Sequence, residues 1–332
     1  MERFSIIIPV YNRPDEVAEL LESLTKQTDK GFEVLIIEDG SAVPCKEVCE
    51  QYADKLDLHY YFKPNSGRSE TRNYGMERAS GDWFIIYDSD VIVPPQYIAT
   101  VREELAKNPV DCYGGPDAAD NSFSDVQKAI NYSMTSIMTT GGIRGATKNK
   151  EKFSPRSFNM GISRKCFETV GGYKNMIGED IDMSIRIKDA GFKTTLIPEA
   201  YVYHKRRVDL TKFFRQVNTF GKGRVLLGEL HPGSLKPVHL MPAAFVIGNI
   251  GLVLLAIGLS IIDYRLSLLC LAPIVLYVLG IFCESLIKNK SVKIALLSIV
   301  AAYMQLFGYG TGFLGECITH KARKKKQEEL YK

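Results

Sequence analysis

The sequence predicts an α/β domain with a mainly parallel sheet, followed by C-terminal transmembrane helices. Three observations carry this. Short β-branched runs alternate with helix-like segments up to about residue 207. Residues 237–318 are mostly apolar. The mean hydropathy of −0.06 therefore averages two unlike parts instead of describing one uniform globule.

Phe4-Ser5-Ile6-Ile7-Ile8-Pro9-Val10 is the first element, a run of the kind buried on both faces of a sheet. A turn at Asn12-Arg13-Pro14-Asp15 leads into a helix marked by Val17, Leu20, Leu21 and Leu24. Phe32 to Ile37 is a second buried strand ending in Glu38-Asp39-Gly40-Ser41, and Leu58 to Phe62 a third. After the Asn65-Ser66-Gly67 turn, Glu70 to Ala79 predicts a helix, and Trp83 to Tyr87 a strand ending in Asp88-Ser89-Asp90. Gly114 to Arg156 is rich in Gly, Ser, Thr, Lys and Asn with little periodicity, which predicts a loop. Its basic part, Gly141 to Lys152, suits either a lid over an anionic substrate or plain solvation. Phe158 to Ile162 predicts a further strand, and Glu179 opens a helix that runs through Arg186 and Lys188.

Leu210 to Leu230 interleaves Lys212, Arg215, Lys222 and Arg224 with Phe213, Phe214, Phe220, Leu226 and Leu227, the pattern of a basic amphipathic helix at a membrane surface. Three apolar segments follow, Val238 to Ile262, Ser267 to Ile287 and Val292 to Ile318. Each is long enough to cross a hydrocarbon core of roughly 30 Å. The expected divisions are thus residues 1–207, an interfacial segment 208–236, a membrane region 237–318 and a basic tail 319–332. Three crossings from a cytosolic start put Lys288 to Lys293 inside, as positive charge prefers, but put Lys321 to Lys326 outside, which it does not. Gly308, Gly310, Gly312, Gly315 and Glu316 also suit the third segment poorly to simple lipid exposure.

The balance of 42 Lys and Arg against 38 Asp and Glu, with 45% hydrophobic residues, excludes a disordered polyelectrolyte, a collagen and a small disulfide scaffold. It gives no reason to expect a nucleic-acid partner. The seven cysteines are scattered without a CxxC pair, as expected of reduced thiols in a part facing the cytosol. Phe4 to Val10 is too short for the apolar core of a signal peptide, so none is expected there.

The clusters Tyr11-Asn12, Glu38-Asp39 and Asp88-Ser89-Asp90 each follow an apolar strand. In an open parallel sheet such ends share one edge, where ligands bind. Asp88 and Asp90 at a bent strand end suit one hard divalent cation, Mg²⁺ or Mn²⁺, which would bridge a diphosphate. Asp39 either accepts hydrogen bonds from a nucleobase or ribose, or closes an Asx-type turn. Glu179-Asp180 supplies either helix N-terminal charge or a general base. His204, followed by Lys205-Arg206-Arg207, is either structural or a metal or phosphate contact.

Together these residues resemble the family 2 glycosyltransferases, which have the GT-A fold. The matches, in the family's order, are Ile6 to Asn12, Glu38-Asp39-Gly40-Ser41, Asn65-Ser66-Gly67 with Arg72-Asn73, Gly81-Asp82 leading to Asp88-Ser89-Asp90, Asn159-Met160, Gly171-Gly172-Tyr173, and Glu179-Asp180-Ile181-Asp182 with Arg186. They cover about residues 4–207. The resemblance implies an inverting, metal-dependent transfer of sugar from a nucleotide-sugar. It places Pro9, Tyr11, Asn12, Asp39 and Arg72 at the nucleotide, Asp88 and Asp90 at the metal, and Asp180 as base; Gly67, Asp88, Asn159 and Arg206 are further candidates for the donor, and His204 for the metal. The processive synthases of the family carry Q-x-x-R-W, whereas the one Trp here is Trp83 and Gln216 is followed by Val217-Asn218-Thr219-Phe220. A single-addition enzyme is expected, multi-pass in the inner membrane with its catalytic domain in the cytoplasm. Its acceptor would be a lipid-linked glycan or, alternatively, a polyprenyl phosphate loaded directly.

Overall fold

The computed structural model describes residues 2–118, 123–140, 153–204 and 209–330. The chain forms two compact units, Met1–Asp120 with Thr147–Lys205, and Asn121–Ala146 with Arg206–Lys332. The first unit contains β1 (Phe4–Val10), α1 (Pro14–Thr25), β2 (Phe32–Asp39), α2 (Lys46–Glu50), β3 (Leu58–Lys63), α3 (Arg68–Arg78), β4 (Trp83–Tyr87), β5 (Val91–Ile92), α4 (Tyr97–Lys107), β6 (Cys112–Gly114) and β7 (Asp117–Ala118). After a segment of the second unit, α5 (Asp125–Thr135) and α6 (Ile137–Thr140), it resumes with β8 (Asn159–Ser163), α7 (Arg164–Val170), α8 (Glu179–Asp189), β9 (Thr194–Leu196) and β10 (Val202–His204).

Seven strands form one sheet in the order β3-β2-β1-β4-β8-β6-β9. β3, β2, β1 and β4 are parallel, and β8 runs antiparallel to β4. The β-branched runs alternate faces with period two. Ile6 and Ile8 pack with Val17, Leu20, Leu21 and Leu24 of α1 on one side. Ile7 and Ile37 pack with Met76 of α3 and Met183 and Ile187 of α8 on the other. Burial of each such side chain contributes about 1.5–3 kcal/mol. The chain leaves β1 toward β2 and β3, then returns to β4 on the opposite side, so the order reverses between β1 and β4. That is where an open α/β sheet leaves a crevice at its strand ends. β8, entering antiparallel, starts at the same edge, with Asn159 beside Tyr87. A small sheet of order β5-β10-β7 lies in the same unit.

The stretch expected as a loop is partly helical. Ser124 caps α5 in a reciprocal box with Gln127. Ala129, Ile130 and Met134 bury against Phe213, Val217, Ile294 and Ala301, which draws these residues into the helical unit and out of the single 1–207 domain expected. The basic part, 141–152, lies outside the described residues.

The second unit continues with α9 (Leu210–Leu230), α10 (Met241–Ser260), α11 (Tyr264–Asn289) and α12 (Val292–Leu330). Three helical stretches, Met241–Ser260, Tyr264–Asn289 and Val292–His320, are long and apolar enough to cross a membrane. α9 packs lengthwise on α12. A Cβ on Gly221 would lie 2.1 Å from the Tyr309 carbonyl oxygen, and one on Gly312 would lie 2.1 Å from that of Asn218. Glycines that look ill suited to lipid are therefore the seam along which the two backbones touch.

Candidate active site

The β1–α1 turn is held by Asn12, whose φ of 54° lies in the left-handed region that Asn tolerates. Its Oδ1 accepts from the amides of Ala42 (2.8 Å) and Val43 (3.0 Å), and its own amide donates to Ser41 Oγ at 2.7 Å. Ser41 donates to the fully buried Glu38, which also accepts from the Cys45 amide. Asn12 thus braces the loop after β2. Pro9 is half-buried within β1, and Tyr11 just beyond it is 53% exposed.

Asp39 ends β2 almost buried. It accepts from Lys63 Nζ and from the amides of Ser66 (2.9 Å) and Gly67 (3.0 Å). Burial alone would raise its pKa, but Lys63 and the amides outweigh that and hold it below the usual range. Gly67, at φ +87°, lets the turn close and α3 begin.

α3 approaches the sheet closely because position 75 lacks a side chain: a Cβ there would sit 2.5 Å from Ile7 Cγ2. This sets Arg72, 3% exposed, beside the strand ends. Its Nη2 donates to Asp88 Oδ1 at 2.8 Å and its Nη1 to Glu179 Oε1 at 3.0 Å, while Arg68 Nη2 donates to Glu179 Oε2 at 2.7 Å. Burial opposes the Arg72 charge, but Asp88 and Glu179 more than offset it and raise its pKa. Next to it, Asn73 accepts from the Tyr173 amide at 2.8 Å and donates to the Tyr173 carbonyl at 2.9 Å, fixing the segment that leads to α8. At the start of α8, Asp180 Oδ2 accepts from Arg156 Nη1 at 3.3 Å. Burial works to raise its pKa, yet Arg156 above all, with Arg72 and the Ile181 amide, holds it below the usual range.

Asp90 joins both sides of the crevice. Its Oδ2 accepts from Arg13 Nη1 at 3.4 Å, and its Oδ1 lies 3.2 Å from His204 Nε2. His204 reaches it because β10 pairs with β5 in the register His204↔Val91, and its ring stacks on Phe158 at 4.9 Å. One ligand atom from each of Asp88, Asp90 and His204 falls within 4.8 Å of the others. Two carboxylate oxygens and an imidazole nitrogen suit Mn²⁺ or Mg²⁺ chemically, so the residues fit the cation that the sequence suggests.

Asp39, Asp88, Asp90, Asp180 and His204 thus occur in one unit, with Asp88, Asp90 and His204 in direct proximity. One expectation needs correction. Asn159, expected at the donor, is fully buried: Tyr97 OH donates to its Oδ1 at 2.5 Å and its Nδ2 donates to the Ala200 carbonyl at 2.9 Å. It holds the segment leading to β10 and leaves no surface for a ligand. Arg72, also expected at the donor, donates through its two terminal nitrogens to Asp88 and Glu179. Arg206 lies outside the described residues. Sequence reasoning missed Arg13, Lys63, Arg68 and Arg156. Only Arg68 left a signal, four residues before Arg72 and so on the same helical face.

The family model for glycosyl transferase family 2 matches residues 5–171, half of the chain. The protein belongs to this family. This family 2 glycosyltransferase is 39% identical over 105 residues to an uncharacterised glycosyltransferase of Haemophilus influenzae, a match covering 32% of the chain and 35% of the relative. It is 29% identical over 112 residues to glycosyltransferase GlyA of Streptococcus pneumoniae, covering 33% of the chain but 16% of GlyA. It is 25% identical over 261 residues to glycosyltransferase AglE of Haloferax volcanii, covering 74% and 80%. Among solved structures it is similar to the mannosyltransferase PcManGT of Pyrobaculum calidifontis in complex with GDP-Man and Mn²⁺, at 15% identity and a TM-score of 0.65, covering 92% and 87%. It is also similar to S. aureus TarS 1-349, at 16% identity and a TM-score of 0.52, covering 94% and 90%. At these identities the likeness establishes the GT-A fold of the family 2 enzyme.

Proposed function

We propose that this glycosyltransferase moves a sugar from a nucleoside-diphosphate sugar to a lipid-linked glycan at the cytosolic membrane face, with inversion at the anomeric carbon. The observation that carries this reading is the convergence of Asp88, Asp90 and His204 at the strand-end crevice, with Asp180 in the same unit. Asp180 is the base that takes the proton from the acceptor hydroxyl as its oxygen attacks the anomeric carbon, while the bond to the diphosphate breaks on the opposite face. Arg156 keeps that carboxyl ionised at neutral pH. Glu179 is already committed to two guanidiniums, which favours its neighbour for the proton. Asp88, Asp90 and His204 would hold Mg²⁺ or Mn²⁺, which would supply positive charge against a leaving diphosphate. Arg72 fixes Asp88 for that task, and Asp39 with the Ser66-Gly67 turn shapes the wall for the nucleoside. The apolar helices of the second unit support a lipid-borne acceptor.

The test is a panel of nucleotide-sugars incubated with membranes containing the full chain and lipid extract, read by mass spectrometry of the lipid products. Extension of a lipid-linked glycan supports the reading. Sugar appearing directly on a polyprenyl phosphate replaces the acceptor assignment, and no metal-stimulated transfer from any donor overturns it.

A further inference from the structure

We propose that only α10 and α11 cross the membrane, and that α12 lies with α9 along the surface, so that the basic tail returns to the side of the N-terminal unit. The argument starts from the seam between α9 and α12. The contacts run in parallel: Phe213 and Val217 cluster with Ala301, Asn218 Nδ2 donates to the Gly308 carbonyl at 3.1 Å, a Cβ on Gly221 would press on the Tyr309 carbonyl, and Glu229 pairs with His320 at 2.6 Å. Two helices in register over this length share one orientation. If α12 spans the bilayer, α9 spans it too.

The outward face of α9 decides which. Lys212, Arg215, Thr219 and Lys222 are all exposed and follow one another at spacings of three, four and three, a single polar stripe. Such a stripe is strongly disfavoured against lipid chains and favoured at anionic headgroups. α12 agrees. Its inward residues in this stretch, such as Leu306 and Phe313, are buried, whereas its exposed ones from Thr311 onward include Gly315 and Thr319 beside Ile318. The helix qualifies as a span by composition and exposes Val292, Leu296 and Val300 in its first turns, yet from Leu306 to His320 Ile318 is its one exposed large apolar residue, the others being turned toward neighbouring helices. α10 and α11 are the reverse, with Ile247, Leu254 and Ile257, and Leu269 and Leu276, more than half exposed. They are the lipid-facing pair.

Two crossings also satisfy the charges. Lys288 and Lys290 around the end of α11, Lys293 at the start of α12, and Lys321 to Lys326 in the tail then lie on one side, with Asp263-Tyr264-Arg265 on the other. This holds whichever sugar is transferred.

The test is labelling by a membrane-impermeant maleimide in sealed vesicles of known orientation. The full chain carries Cys270, Cys283 and Cys317 changed to alanine and one added thiol at a time: Lys55→Cys in the N-terminal unit, Tyr264→Cys, Lys293→Cys or Lys325→Cys. The expected result is that positions 55, 293 and 325 label from one side and 264 from the other. Position 325 labelling opposite to 55 means that α12 crosses, and overturns the proposal. Position 264 labelling with 55, and 293 opposite, means that α9 and α12 both cross, and overturns it equally. Permeabilised vesicles, in which all four must label, exclude loss through misfolding.

Discussion

Arg72 and Glu179 stand 107 positions apart in the chain and meet through a 3.0 Å ion pair in which each side chain is 3% exposed. The pair ties the helix after β3 to the helix that carries Asp180. It also leaves the two carboxylates of the Glu179-Asp180 dipeptide with different partners, since Asp180 accepts from Arg156.

Glu179→Gln leaves Arg68 and Arg72 short of a counter-charge, and breaking a buried pair in this way costs about 3–5 kcal/mol. The expected outcome is a marked fall in the melting temperature of the solubilised protein. Asp180→Asn gives up a single ion pair, with Arg156 at 3.3 Å, so it is expected to cost less stability than Glu179→Gln and to lower kcat by roughly two to four orders of magnitude, the usual contribution of a general base. Single-turnover transfer and thermal melts on both variants check the division. Asp182 is a poor substitute base, being fully buried and bonded to Arg186 Nε at 2.8 Å.

Arg156 sets the pH range of Asp180. A lowered pKa means the base is ionised throughout the neutral range and is lost only as pH falls below the usual aspartate value. Arg156→Gln removes the main lowering influence and leaves only Arg72 and the Ile181 amide to oppose burial. The acid limb of the kcat/KM profile should therefore move to higher pH, while the alkaline limb stays in place.

For the metal site, Asp90→Ala should cut transfer at least a hundredfold, and His204→Gln by less. Calorimetry with a nucleoside diphosphate should show affinity that rises with Mn²⁺ in the wild type and loses that dependence in Asp90→Ala. Undiminished Mn²⁺ dependence in the variant rules out the assignment.

Lys63 and Asp39 give a stability prediction. Lys63→Met strands a buried carboxylate and should cost about 3–5 kcal/mol near neutral pH. The sign with pH follows from the depressed Asp39 pKa: its stabilisation is complete above the unfolded value of about 3.9 and is lost as pH falls through the lower folded value. The gap between wild type and Lys63→Met should therefore narrow in acid, as denaturation at stepped pH would reveal.

The strand ends were legible because each apolar run stops at a carboxylate, so Asp39, Asp88 and Asp90 announced a shared edge before any coordinates. Their partners were not. Arg13, Lys63 and Arg156 are surface-type residues whose meaning comes from contacts made across tens of positions, and no local period marks them. Asn159 shows the opposite failure. It occupies a family position, yet Tyr97 and Ala200 consume its amide. In the second unit, the apolar residues of α5, Ala129, Ile130 and Met134, are too few to show a helical period, although Ser124 and Gln127 spell a helix start. α9, with its strong alternation of basic and aromatic residues, was found to its ends.

His204 has a consequence for how the enzyme comes into being. The two aspartates that it joins are made more than a hundred residues earlier. At about 5–20 residues per second, a ribosome takes roughly 6–23 s to cover that gap. Throughout that interval the nascent chain holds an incomplete cation site, and β10 must dock between β5 and β7 to finish it. The residues that follow at once begin α9, so the site is finished just as the membrane-bound part starts to emerge. A polypeptide released before position 204 therefore lacks one of the three residues that the proposed cation needs, and with it the capacity for the metal-assisted transfer proposed above.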